Sequence, residues 1–165
     1  MGICVGGGGV AFYHRPMTTS PTPAHYPVFV YGTLRPGMSN NHWFRGADTN
    51  RTTALITGYE LVTNGEYPYL LPARPGQDGP APHVRGTLVF VDPADWEAVA
   101  ASLDELEGTD PTRPVHDDNL YNRVLADVTT EDGQVYTAWV YIPPRAAHAR
   151  LRESYPLIPG CEWTE

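Results

Sequence analysis

Two short stretches of the chain hold residues whose types and spacing could do chemistry. The first is Tyr31-Gly32-Thr33-Leu34-Arg35-Pro36-Gly37. Its two glycines permit backbone angles closed to other residues, so several main-chain N–H groups can converge on one cavity. Such a nest holds an anion or a developing oxyanion without a cationic side chain, and Arg35 could add charge at its rim. The same spacing suits an ordinary tight turn. It matches neither the GxGxxG nor the P-loop pattern, which argues against a nucleotide. The second stretch is Leu103-Asp104-Glu105-Leu106-Glu107-Gly108. At about 100° per residue, Trp96, Val99, Leu103 and Leu106 form one apolar stripe. Glu107 falls inside that stripe, whereas Glu105 falls on the opposite face. A carboxylate aimed inward from a helix's last turn meets burial and the negative end of the helix dipole, and both raise its pKa. A general base working near neutral pH needs that property. The competing reading puts Glu107 at a frayed helix end, swung into water.

The elements that must position these residues can be read from periodicity and punctuation. Val28-Phe29-Val30-Tyr31 is a four-residue apolar run stopped by Gly32, the pattern of a buried strand entering a turn. Leu55 to Thr63 and His83 to Val91 are predicted as further strands, with Asn64 to Pro82 a Gly/Pro-rich loop packed through Tyr67, Tyr69 and Leu70. Tyr121 to Thr129 and Gln134 to Ile142 form a hairpin joined by Glu131-Asp132-Gly133. In its second arm Val135, Thr137, Trp139 and Tyr141 share one face, and Tyr136, Ala138, Val140 and Ile142 the other. One helix is bounded by Asp92 as cap, Pro93 at its first position and Gly108 just past its end. Shorter helices are predicted around Arg145 to Ser154 and Trp43 to Ala47. Residues 1–26, with Gly6 to Gly9 and a Pro/Thr/Ser run, read as a flexible leader, which leaves one domain over 27–165. Five or more strands with one or two helices imply a mixed α+β domain, a small curled sheet or barrel.

Composition narrows the function classes. All 11 basic residues of this 165-residue chain are Arg, which removes Schiff-base, lysine-base and P-loop lysine chemistry. A net charge of −8 argues against nucleic acid as a partner. Cys4 and Cys161 lie far apart without CxxC spacing, so a zinc or redox motif is unsupported and a disulfide is possible without being indicated. His42, His83 and His116 lack mutual metal-ligand spacing. No apolar run approaches the roughly 18 residues of a membrane span, and no signal-peptide pattern opens the chain. These features give the expectation of a cytoplasmic protein with neither metal nor cofactor, and they are silent on oligomeric state.

Taken in order, Tyr31-Gly32-Thr33-Leu34 with Gly37 and Asn40-Asn41, then Leu103-Asp104-Glu105-Leu106-Glu107-Gly108, then Tyr121-Asn122-Arg123-Val124 resemble the γ-glutamylcyclotransferase-like (AIG2-like) family. The resemblance runs from about Val28 to Trp163. It implies a small mixed β-barrel flanked by one or two short helices. It also implies that the Tyr31–Leu34 turn cradles a γ-glutamyl group, that Glu107 is the acid/base, and that a small γ-glutamyl amide is cyclised to 5-oxoproline with release of the free amine. Tyr67 with Pro68 would line the pocket, and Tyr121 and Arg123 would brace its wall. A non-catalytic binding module of the same fold is the alternative. The match strains at residues 109–120, where twelve residues separate the Glu-Gly pair from the Tyr-x-Arg motif. We expect this loop to border the pocket and tune which leaving amine is accepted, a cationic one being suggested by its acids; a solvated insertion is the other reading. The tail Pro159-Gly160-Cys161-Glu162-Trp163 resembles a family Gly-Asp-Trp-type ending with one residue changed.

Overall fold

The computed structural model describes residues 26–74, 79, 81–158 and 160–164, so the predicted leader lies, Tyr26 excepted, outside the described residues. Strand β1 (Val28–Val30) is buried at every residue, as an unbroken apolar run requires, because it is covered on both faces. One side of β1 pairs antiparallel with a strand over His83–Val91, placing Phe29 opposite Leu88. The other side pairs parallel with a strand over Val135–Ile142, placing Val28 beside Trp139. Numbered in chain order, the strands are β1, β2 (Asp48–Thr57), β3 (Tyr59–Thr63), β4 (Pro68–Pro72), β5 (His83–Val91), β6 (Asn122–Thr130) and β7 (Val135–Ile142). Five of them close into a barrel in the order β1-β5-β2-β6-β7, and β3 and β4 form a separate two-stranded ribbon. Closure gives every barrel strand a neighbour on each side, with the seams β2–β6 at Ala54 and Leu55 and β1–β7 at Val28 the shortest.

Alternation along the strands sorts the core into two shells. Phe29, Ile56, Val84, Leu88, Val128, Ala138 and Val140 point inward and fill the barrel. Val28, Val30, Val89 and Tyr141 point outward, against Trp96, Val99 and Leu103 of helix α1 (Trp96–Glu107). The β7 faces therefore divide as their alternation predicts. Helix α1 begins after a 3-10 turn over Pro93–Asp95, where the Asp92 side chain accepts a hydrogen bond from the Ala94 N–H at 3.0 Å. It ends at Gly108, whose φ of 62° is strained for any residue with a Cβ.

The strands at His83–Val91 and in the β6–β7 hairpin match the reading from sequence to within a residue. Three other expectations are corrected. The single strand expected over Leu55 to Thr63 is two strands, because Gly58, at φ 86°, turns the chain out of the barrel between β2 and β3. The expected loop from Asn64 to Pro82 contains β4, which pairs with β3 from Tyr59↔Pro72 to Thr63↔Pro68. Prolines at both ends of β4 hid it, since they sit where the ladder stops. The expected helix near Trp43 to Ala47 is a 3-10 turn over Asn41–Phe44, ended by Arg45 in the left-handed region. The second helix, α2 (His148–Ser154), follows a 3-10 turn over Arg145–Ala147, and Leu151 packs it against Val62 and Leu71 of the ribbon. Cys161 is disulfide-bonded, which spacing had not indicated.

Candidate active site

A cavity of about 270 Å³ opens between the end of β1, the C-terminal turn of α1 and the tip of the β3–β4 ribbon. Phe29, Val30 and Leu34 form its buried floor. Tyr67 and Pro68 supply one wall, Leu106 and Glu107 a second, and Leu120 with Tyr121 the outer side. Tyr31, Gly32, Thr33, Tyr141 and Asn40 complete the lining. The structure thus brings Tyr31, Gly32, Thr33, Leu34, Tyr67, Glu107 and Tyr121 together on one cavity. Arg35 and Arg123 are not among its lining residues.

The turn after β1 is held by hydrogen bonds from Arg35, Asn40 and Asn41. The Gly32 carbonyl accepts from the Arg35 N–H at 3.0 Å, and the Thr33 carbonyl from the Asn40 N–H at 2.8 Å. The Asn40 side-chain amide donates to Thr33 Oγ1 at 2.9 Å, and that of Asn41 to the Leu34 carbonyl at 3.0 Å. These bonds use the turn's carbonyls and leave the Thr33 and Leu34 N–H groups without a partner among the described residues. Gly32 is required for space: a Cβ there would lie 2.8 Å from Pro68 Cγ. Arg35 turns the other way, pairing with Glu162 at 2.7 Å and bonding Thr87 Oγ1 and the Trp163 carbonyl. It anchors the C-terminal tail, whose Trp163 is buried in the barrel core.

Glu107 faces the cavity from the last turn of α1. Burial raises its carboxyl from 4.5 to about 7. No hydrogen bond or ion pair holds the carboxylate among the described residues. Among titratable groups it acts on tyrosines: the Glu107 charge adds to burial in pushing up the hydroxyls of Tyr31, Tyr121 and Tyr141. A carboxylate raised in this way by burial keeps its proton until near neutral pH and is then a stronger base than an ordinary carboxylate.

One turn earlier on the same helix, Asp104 has the opposite environment. It is buried, accepts from Arg123 Nε at 3.0 Å and from the Tyr141 hydroxyl at 2.6 Å, and so carries a full set of partners. Tyr141 in turn accepts, through its carbonyl, a 2.5 Å bond from the Tyr31 hydroxyl. The Arg123 guanidinium lies 4.6 Å from the centroid of the Trp139 ring. Asp104 and Trp139 thus occupy the Arg123 guanidinium, and Glu107 has no counter-ion among the described residues. Reading for stripes missed Asp104, which falls at the edge of the apolar face. Its place in the Leu-Asp-x-x-Glu spacing, ahead of a Tyr-x-Arg, was the available signal.

Tyr121 is held flat by stacking on Tyr69, which stacks in turn on Tyr155, with Tyr67 edge-on to Tyr69. The 109–120 loop meets the cavity through Leu120 alone. The acids of that loop are engaged elsewhere or exposed: Asp110 bonds Thr112 and Arg113, and Asp118 faces His116. Among the described residues no group of three or more metal-ligating side chains occurs, and no helix is long and apolar enough to cross a membrane.

Comparison with known proteins points to one family. The family described as γ-glutamyl cyclotransferase, AIG2-like, matches residues 28–165. A Drosophila melanogaster protein, CG2811, assigned by name to the γ-glutamylcyclotransferases, is 30% identical over 149 residues, covering 84% of this chain and 85% of that one. The γ-L-glutamyl-butirosin B γ-glutamyl cyclotransferase of Niallia circulans is 30% identical over 134 residues, covering 77% and 72%. Among solved structures, an AIG2-like protein from Mus musculus shares the fold with a TM-score of 0.57 at 23% identity, over 85% of this chain and 88% of that one.

Proposed function

The chain belongs to the AIG2-like γ-glutamyl cyclotransferase family, and from that premise we propose that it cyclises a γ-glutamyl amide to 5-oxoproline, with Glu107 as acid and base. The observation that carries the reading is the pairing of an unpartnered carboxylate with free main-chain N–H groups on one cavity. A γ-glutamyl amide contains its own nucleophile, the α-amine, which is protonated in neutral water. Ionised Glu107 accepts a proton from that ammonium, and the freed amine attacks the γ-carbonyl carbon to close a five-membered ring. The Thr33 and Leu34 N–H groups bind the substrate carboxylate or the developing oxyanion, with no desolvated cation required. As the tetrahedral centre collapses, its bond to the leaving nitrogen breaks, Glu107 returns its proton to that nitrogen, and the ring nitrogen's second proton passes through the carboxylate to solvent. The free amine and 5-oxoproline depart, and Glu107 is again ionised. Ring closure is intramolecular, so holding the chain folded over the turn accounts for roughly 7–11 kcal/mol of the barrier at best.

Tyr31 and Tyr121 flank Glu107 as neutral phenols, and Tyr67 with Pro68 covers the substrate's aliphatic chain. The test is incubation of the purified chain with several γ-glutamyl amines, measuring 5-oxoproline and free amine in equal amounts. The α-linked isomers serve as controls, since they cannot expel the amine by this ring closure. A protein that binds γ-glutamyl amines and releases neither product is a binding module and overturns the proposal.

A further inference from the structure

We propose that Leu120 makes the mouth of this cavity selective for leaving amines with an uncharged, apolar body. The inference rests on the cyclisation reading and concerns the half of the substrate which that reading leaves open. Burial orients the cavity. Phe29, Val30 and Leu34 at its floor are almost wholly covered, whereas Tyr67 and Leu120 at the opposite side are 39% and 74% exposed. A γ-glutamyl group seated on the turn at the floor therefore directs its amine toward Tyr67, Leu120 and Tyr121.

Leu120 is fixed there by structure. Its N–H donates to the Gly108 carbonyl at 3.1 Å, and its side chain packs so closely on Gly108 that a Cβ on that glycine would lie 2.9 Å away. Asn119, beside it, is pinned by bonds to the Arg113 carbonyl and to Asn122. An apolar side chain held in water next to the base gains cover when an apolar group binds over it. The cavity lining contains no carboxylate other than Glu107, whose charge is needed for the reaction. A second ammonium on the leaving amine would thus lose water against leucine and tyrosine, or would pair with Glu107 and disable it. The acidic character of the loop suggested a cationic amine; the side chain that reaches the cavity argues for the reverse.

The experiment uses the purified full chain with two γ-glutamyl amides of matched length, that of butylamine and that of 1,4-diaminobutane joined through one nitrogen. Release of 5-oxoproline gives kcat/KM for each. The wild-type protein is expected to prefer the butylamide by roughly tenfold or more. Leu120→Asp should shrink that ratio by roughly tenfold or invert it, while Leu120→Met should preserve it. The ratio is the readout because a new carboxylate beside Glu107 alters turnover of both amides alike. Leu120 is exposed, so both variants are expected to fold, and unchanged thermal unfolding checks this. Equal or better use of the ammonium-bearing amide, or a ratio that Leu120→Asp leaves unmoved, overturns the inference while the cyclisation stands. No 5-oxoproline from either amide refutes the cyclisation itself, and this inference with it.

Discussion

Replacing Glu107 with glutamine should make the protein both inactive and more stable, and the size of the second effect follows from the site. The carboxyl is neutral in the folded chain up to about pH 7, whereas in the unfolded chain it ionises near 4.5. Between those values the unfolded state has released a proton that the folded state retains, so stability falls as pH rises from about 4.5 to about 7. Above that the loss is complete. At about 1.4 kcal/mol per pH unit, ionised Glu107 costs about 3 kcal/mol at pH 8. Glutamine has nearly the same shape and does not ionise. Glu107→Gln should therefore unfold roughly 6–12 °C higher than wild type at pH 8, with the difference shrinking to near nothing at pH 4.5. Release of 5-oxoproline should fall by about 10²–10⁴ in the same variant. Thermal unfolding followed by circular dichroism across that pH range, alongside a 5-oxoproline assay, measures both. A variant less stable than wild type at pH 8 would show that Glu107 is held by partners, and the argument for a poised base would fail.

Further outcomes follow from the same geometry. Because the base must be ionised to accept the first proton, kcat/KM should rise with pH through about 7 and then level off; a profile flat from pH 5 to 8 excludes Glu107 as the titrating group. Asp104→Asn leaves Arg123 buried without a counter-charge and should lower stability by about 3–5 kcal/mol in denaturant titration. Activity measured well below its new melting point should also drop, as Arg123 becomes free to pair with Glu107. Gly32→Ala drives a methyl group into Pro68 and should raise KM through displacement of the turn, with global unfolding shifted by about 1–3 kcal/mol. A KM equal to wild type in that variant would place the substrate elsewhere.

Where one period ran unbroken, the residues alone were enough. His83–Val91 ends in the apolar run Leu88-Val89-Phe90-Val91 before the breaker Asp92-Pro93, and the β6–β7 hairpin alternates around Glu131-Asp132-Gly133, so both were readable nearly to the residue. The inward aim of Glu107 was readable for the same reason, since a helix stripe is a local property. What was hidden is what tertiary pairing decides. The polar start of β2, Asp48 to Thr53, becomes a strand because β5 lies beside it in register, and β4 forms only because β3 offers a partner. Arg35 and Arg123 looked alike in sequence as cations near a cavity. Their distant partners, Glu162 and Asp104, decide where each points. Leu120 lay in a loop that seemed acidic, and no pattern marks one leucine in such a loop as the residue turned toward the base.

The ribbon of β3 and β4 supplies the covering wall of the cavity yet shares no strand ladder with the barrel, which carries the turn and the nearby Tyr141. The two halves of the cavity wall are therefore separate in backbone hydrogen bonding and meet by side-chain packing, as at Gly32 with Pro68 and Tyr121 with Tyr69. Residues at the ribbon's tip, such as Tyr67, can be replaced to suit a bulkier or smaller guest without disturbing any hydrogen bond of the closed sheet. A collection of ribbon-tip variants on one unchanged barrel should retain the reacting groups while exploring the range of amines that can leave.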